Sequence, residues 1–231
     1  MDINGIQKLT LLDYPGKVAC TVFLAGCDLK CPFCHNSELW SVNAPAVMDD
    51  KELLAFLEKR RGMLDGVAFT GGEPLLRPEL PEVMTKIKEL GFAVKLDTNG
   101  THPDKLRALI GEGLVDRVAM DIKNDPERYA LTCGREAQGF PMDAIRKSIE
   151  ILMNGGIEYE FRTTAVKPLH DADSFRGIGE MIRGAENYFI QPFADRDTVL
   201  FSGFETPAKE ELESWLGIVE PFVKRARIRG M

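Results

Sequence analysis

From residue 17 onward, the apolar positions of this 231-residue chain alternate between two patterns. Short aliphatic and β-branched runs at Val18–Ala25, Gly66–Thr70, Phe92–Leu96, Arg117–Met120, Ile157–Thr164 and Tyr188–Gln191 have the length and composition of buried strands. Between them, apolar residues recur three and four apart, which is helix spacing: Leu53, Leu54 and Leu57; Val83, Ile87 and Leu90; Leu106, Leu109 and Ile110; Ile145, Ile149 and Leu152; Phe175, Ile178 and Ile182. Gly91 and the Gly155–Gly156 pair supply stops. Thr206 and Pro207 are residue types suited to the N-cap and first turn of a last helix through Leu212, Trp215, Leu216 and Val219.

Repeated strand–helix units predict parallel strands joined by right-handed crossovers. Six strands are too few for a closed eight-fold barrel, which leaves a curved, open partial barrel or a doubly wound sheet. No Pro-, Gly- or Ser-rich linker interrupts the pattern. The chain is therefore expected to be one domain over residues 1–231, with an N-terminal segment over 1–16, a distinctive loop over 26–40 and a helix and strand over 206–231. The fold class expected is α/β, a partial (β/α)6 TIM-like open barrel of parallel strands.

In parallel α/β folds, ligands gather at the carboxyl ends of the strands. Here the first strand runs into Cys27, and the second ends in Thr70-Gly71-Gly72-Glu73-Pro74. The third ends in Asp97-Thr98-Asn99-Gly100 and the fourth in Asp121-Ile122-Lys123. The fifth carries Arg162, and the sixth ends in Gln191-Pro192-Phe193. Any one of these is an ordinary turn, cap or surface pair. Six polar ends on one rim point to catalysis.

Bulk properties narrow the class. A formal charge of −7 with dispersed lysines leaves no basic footprint for nucleic acid. The longest apolar run, Val18 to Gly26, is too short to cross a bilayer, and MDINGIQKLTLLDYPG lacks the pattern of an export signal. A cytoplasmic protein without nucleic-acid or membrane partners is expected. Of the five cysteines, Cys27, Cys31 and Cys34 fall within eight residues, a spacing suited to metal rather than to a disulfide framework. Cys31-Pro-Phe-Cys34-His35 fits covalent haem attachment, which belongs outside the cytosol. Adding His35 gives four zinc ligands, and the three cysteines alone suit an iron–sulfur cluster with one iron open. Cys20 reads as a packed core thiol and Cys133 as a free thiol without a role.

Cys27-x3-Cys31-x2-Cys34, with Phe33 before the last cysteine, resembles the cluster loop of the radical S-adenosylmethionine (SAM) superfamily. Gly71-Gly72-Glu73-Pro74 after the second strand is similar to that superfamily's glycine-rich element. LLDYPGKVACTVFLAGC, Cys34-His35-Asn36, Asp97-Thr98-Asn99-Gly100 and Asp121-Ile122-Lys123 resemble the glycyl-radical-enzyme activases, which include the pyruvate formate-lyase activating enzyme. The closing RARIRG is similar to the end of anaerobic ribonucleoside-triphosphate reductase activating proteins. Asn36 to Ala68 holds no cysteine, so the extra ferredoxin-like clusters of some activases are not expected.

The resemblance implies one [4Fe-4S] cluster on Cys27, Cys31 and Cys34. It implies reductive cleavage of SAM to a 5′-deoxyadenosyl radical, which takes hydrogen from a glycine of a partner enzyme. That partner would be anaerobic ribonucleotide reductase, with flavodoxin or ferredoxin as electron donor. SAM contacts would come from Phe33, Asn36, Gly71, Gly72, Glu73, Pro74 and Asn99. Lys123 and Arg162 would hold its carboxylate. Asp97, Thr98 and Asp121 match a monovalent-cation site, and Gln191 stands where the pyruvate formate-lyase activase has a histidine. Two other readings are carried: a radical SAM enzyme acting on a small molecule, with a closed rim, and a structural zinc-binding interaction module. The zinc module leaves the polar rim unexplained.

Overall fold

The computed structural model describes residues 1–230; Met231, the last residue of the expected C-terminal segment, lies outside them. The chain divides into two compact units, one made of residues 1–28, 38–98 and 102–118, the other of 29–37, 99–101 and 119–231.

In the first unit, β1 (Asp2–Ile3) leads into β2 (Gly5–Thr10) and β3 (Ala19–Leu24). A short β4 (Met48–Asp49) pairs antiparallel with β1 and opens into α1 (Asp50–Glu58). Asp49 caps that helix by accepting from the Glu52 N–H at 2.8 Å, while Glu52 accepts from the Asp49 N–H at 2.9 Å. Next come β5 (Gly66–Gly71), α2 (Leu80–Glu89), β6 (Ala93–Thr98) and α3 (Pro103–Gly111). The strand order is β2–β3–β5–β6; β3, β5 and β6 run parallel and β2 runs antiparallel at the edge. β3 buries nearly every side chain, as a parallel strand covered on both faces does. The helices bury Leu53 and Leu57, Val83 and Ile87, and Leu106 and Leu109, the residues whose spacing marks each inner face.

β7 (Arg117–Asp121) begins in the first unit and delivers Asp121 in the second. There α4 (Tyr129–Thr132), α5 (Met142–Asn154), β8 (Glu158–Ala165), α6 (Ala172–Met181), β9 (Tyr188–Pro192), α7 (Lys209–Val219) and β10 (Ala226–Ile228) follow. The order is β7–β8–β9–β10, with β8, β9 and β10 parallel. Its core includes Phe161, Ile145, Leu152, Phe175, Ile178 and Tyr188. The Tyr188 hydroxyl, buried among them, donates to Thr163 Oγ1 at 2.7 Å. Each unit is thus α/β with mostly parallel strands.

All six expected strands are present, with ends within two residues of the sequence reading. The last helix starts later than expected. Thr206 does not cap it; its hydroxyl instead donates to the Phe193 carbonyl at 2.6 Å. The helix begins at Lys209, where Glu211 accepts from the Ala208 N–H at 2.8 Å. β2 and α4 are elements that the apolar pattern did not reveal.

Candidate functional site

The cysteine loop is closed at its base by backbone bonds that pair residues 26–27 with 39–40. The Gly26 N–H donates to the Leu39 carbonyl at 2.8 Å and the Cys27 N–H to the Trp40 carbonyl at 3.2 Å. Gly26 makes this turn with φ +98°, a left-handed conformation that glycine adopts without a Cβ penalty.

The glycine-rich element lies against the same base. The Gly72 N–H donates to the Leu24 carbonyl at 2.8 Å and the Glu73 N–H to the Gly26 carbonyl at 2.7 Å. A Cβ on Gly71 would sit 2.4 Å from the Leu24 oxygen, and one on Gly72 would sit 2.2 Å from the Gly26 oxygen. What the two glycines make room for in this structure is the chain's own backbone, immediately before Cys27. Glu73 is fully buried, and its Oε1 accepts from the Leu75 N–H at 3.1 Å and the Thr98 hydroxyl at 2.9 Å. Pro74 opens the single 3-10 turn that this carboxylate caps. Asp97, two residues along β6 from the buried Lys95 and so on the same face, is ion-paired with it.

In the second unit, the Cys34 N–H donates to the Cys31 carbonyl at 3.0 Å, and the Asn36 N–H points to the Cys34 sulfur at 3.4 Å. Cys31 and Phe33 are buried, and the Phe33 ring meets Phe204 edge-on at 6.2 Å. His35 stacks on Phe193 at 5.4 Å, with its Nε2 at 2.6 Å from the Ala194 carbonyl. The Ser37 hydroxyl donates to the Thr198 carbonyl at 2.5 Å. The loop is therefore anchored on the segment that follows β9, the strand that also carries Gln191. Asn99 forms a local turn, its Oδ1 accepting from the Thr101 N–H at 2.9 Å and hydroxyl at 2.7 Å.

Asp121 accepts from Arg162 Nε at 2.5 Å and from Lys123 Nζ at 2.8 Å. Burial pushes its carboxyl up, but the charges of Arg162 and Lys123 outweigh burial and hold it well below the usual carboxylate range. Lys123 is held above its ordinary value in turn, because Asp121 more than offsets the opposing burial. The Cys31 thiol is drawn below its ordinary value, first by a hydrogen bond with Cys133 and, against burial, by the charge of Lys123. A thiol biased toward thiolate is the form that binds metal. Cys20 behaves oppositely: burial pushes it up to about 12, as befits a core thiol.

Among the described residues, no group of three or more His, Cys, Asp or Glu side chains converges on the position of one metal ion. A tetrahedral zinc, with Zn–S bonds of about 2.3 Å, gathers its sulfurs within about 4 Å of one another. A cubane spreads three thiolates over three separate irons. Three cysteines are the number that a cluster with one open iron takes, and His35, the fourth ligand of a zinc site, is held instead by Phe193 and the Ala194 carbonyl.

Comparison with known proteins decides the family. The model of the radical SAM superfamily matches residues 21–178. The chain belongs to the radical SAM superfamily. A Methanocaldococcus jannaschii protein assigned by name to the glycyl-radical enzyme activating enzymes is 31% identical over 245 residues, covering 98% of this chain and 95% of its own length. A Clostridium pasteurianum pyruvate formate-lyase-activating enzyme is 31% identical over 192 residues, covering 80% of this chain and 77% of its own length. Within the superfamily the chain is a glycyl-radical-enzyme activase, in a family that uses a [4Fe-4S] cluster and SAM. The fold is shared with a radical SAM methyltransferase from Sphaerobacter thermophilus, with a TM-score of 0.70, 18% identity and coverage of 94% of this chain and 67% of that one. Among the described residues, no helix is long and apolar enough to cross a membrane.

Cys133 is a thiol rather than half of a disulfide, as the sequence suggests, but its place beside Cys31 is not legible there. It is fully buried, and its thiol is hydrogen-bonded to Cys31. A lone cysteine about a hundred residues from the cluster loop carries no signal of that pairing.

The Asp121 cluster sets an acid dependence. A carboxyl whose folded value is depressed adds stability that is fully present above the unfolded value of about 3.9 and is lost as pH falls through the lower folded value. Arg162→Met raises the folded value, so less of this stability is there to lose and its loss is complete at a higher pH. Solvent reaches Asp121, whose side chain is 26% exposed, which keeps the expected cost near pH 7 to about 1–3 kcal/mol. Urea unfolding between pH 3 and pH 7 checks this. The gap between wild type and variant narrows toward the acid end; a gap that is constant with pH contradicts it.

Proposed function

We propose that this radical SAM activase holds one [4Fe-4S] cluster on Cys27, Cys31 and Cys34 and generates a glycyl radical on anaerobic ribonucleoside-triphosphate reductase. The observation that carries the site is the buried Cys31 in a three-cysteine loop closed at its base and pinned by its aromatic contacts. When bound, a cluster with one open iron supplies the electron that splits the sulfonium of SAM, giving methionine and a 5′-deoxyadenosyl radical.

The chain's own residues bind and orient. Glu73, buried and held by Leu75 and Thr98, accepts from the ammonium of the methionine part. Arg162 and Lys123, both held on Asp121, are the cations that would meet the methionine carboxylate. Phe33 excludes water from the loop, and Gly71, Gly72 and Pro74 fix the strand end on which its base rests. Asn36, Asn99 and Gln191 are further polar contacts, whereas Asp97 and Asp121, expected from the sequence as oxygens for a monovalent cation, are already paired with Lys95 and with Arg162 and Lys123. The whole chain acts as one domain in the cytoplasm, with flavodoxin or ferredoxin as donor.

The closing RARIRG supports the reductase as partner. The Clostridium pasteurianum relative, a pyruvate formate-lyase-activating enzyme, favours a second reading with that lyase as partner. Anaerobic incubation of the reconstituted enzyme with SAM, dithionite and each partner, followed by EPR, separates them. A glycyl radical on the reductase is expected. A radical on the lyase alone supports the second reading, and SAM cleavage with no radical on either points to a small-molecule substrate.

A further inference from the structure

The second unit places a fourth sulfur beside the cluster loop. Hydrogen bonds hold it there. Cys133 follows α4, where its N–H donates to the Tyr129 carbonyl at 3.0 Å. The Thr132 hydroxyl, just before it, donates to the Arg128 carbonyl at 2.9 Å and accepts from Asn124 Nδ2 at 2.8 Å. The Cys133 carbonyl in turn accepts from the Lys30 N–H at 3.0 Å, so this turn is tied to the residue that precedes Cys31.

Gly134 makes so close an approach possible. It has φ +64°, and a Cβ there would sit 2.1 Å from the Lys30 oxygen. The Cys133 side chain is fully buried and meets the Cys31 side chain, itself only 6% exposed. This backbone docking seats the Cys133 side chain against Cys31.

We propose that Cys133 is a positioning residue for the cluster, donating its S–H to the Cys31 sulfur and thereby raising the cluster's reduction potential. The inference rests on the proposed role of Cys31 as an iron ligand. An iron-bound thiolate can only accept, so the neutral neighbour is the donor. Hydrogen bonds to the sulfurs are among the levers that set iron–sulfur potentials, because they stabilise the more negatively charged reduced state. Cys133 is thereby distinguished from a fourth iron ligand, which would close the position that SAM needs.

The test is the midpoint potential of the reconstituted cluster, followed by EPR, in wild type, Cys133→Ala and Cys133→Ser. Losing the donor shifts the Ala variant to more negative potential, lowering the reduced-to-oxidised ratio at the wild-type midpoint about 3- to 10-fold. The Ser variant, which keeps a donor, returns toward wild type. Equal midpoints in all three, at equal iron content, overturn the inference and leave Cys133 as packing. So does a cluster whose EPR signal responds to added SAM in the Ala variant but not in wild type, since Cys133 would then be ligating iron. If wild type itself takes up no cluster, the ligand assignment fails along with the inference, and iron content alone identifies that case.

Discussion

Cys27→Ala, Cys31→Ala and Cys34→Ala, made singly, each abolish the iron–sulfur absorbance of the anaerobically reconstituted chain and lower SAM cleavage by at least ~100-fold. The size follows from arithmetic at the cluster. Three protein thiolates serve three irons, so removing one leaves two irons without an anchor while SAM competes for both. Changes to groups that merely support a metal ligand already cost about 10- to 100-fold, and losing the ligand itself costs no less. Folding responds differently to the three changes. Cys31 is buried, so its truncation also opens a cavity, whereas Cys27 and Cys34 are half-buried. Urea unfolding of the cluster-free proteins should therefore rank Cys31→Ala as the least stable. An active Cys34→Ala variant with full iron content would remove that residue from the ligand set.

Gly72→Ala produces the next largest effect, and for a purely steric reason. Gly72 does not have a left-handed φ, so backbone strain is not the issue. Its added methyl would lie 2.2 Å from the Gly26 oxygen and 3.0 Å from the Leu39 oxygen, both backbone atoms that no side-chain rotation can move. The strand ends must separate, and the Gly72-to-Leu24 and Glu73-to-Gly26 bonds weaken with them. Overpacking and two strained hydrogen bonds together come to about 2–4 kcal/mol of stability. The displacement falls on Gly26, next to Cys27, so iron content and SAM cleavage drop as well. Gly111→Ala is the matched control: it lies at the end of α3 with nothing within 4 Å of the new methyl. That change is expected to leave activity intact and to raise stability by up to ~1 kcal/mol. Comparable stability losses in the two variants would contradict the steric account.

Much of the fold is legible in the chain because the parallel strands are buried on both faces. Ala19–Leu24 and Gly66–Gly71 are mostly apolar runs that lead into chemistry-bearing residues, and the helices between the strands repeat at a single spacing. β2 escapes that reading because it is an edge strand: Gln7, Lys8 and Leu9 are exposed, and only Thr10 is buried. α4 is a single turn, too short for any periodicity to register. Thr206-Pro207 looks like a helix start because residue type cannot tell whether the hydroxyl turns toward its own helix or toward the Phe193 carbonyl. In the candidate site, local motifs announce themselves, while partners distant in sequence do not. Asp121 and Lys123 sit two apart at the strand end, yet the pairing of Asp121 with Arg162 joins residues 41 apart. The Cys31–Cys133 contact likewise depends on α4 and on the Gly134 slot, neither of which the spacing of cysteines encodes.

The measurement that tests the central claim most directly is anaerobic reconstitution with iron and sulfide, followed by dithionite and SAM and assay of 5′-deoxyadenosine. The account predicts about four irons per chain, iron–sulfur absorbance and formation of 5′-deoxyadenosine that depends on both SAM and reductant. Stoichiometric zinc, with no iron–sulfur absorbance and no SAM cleavage, would contradict it and make Cys31-Pro-Phe-Cys34-His35 a structural clip.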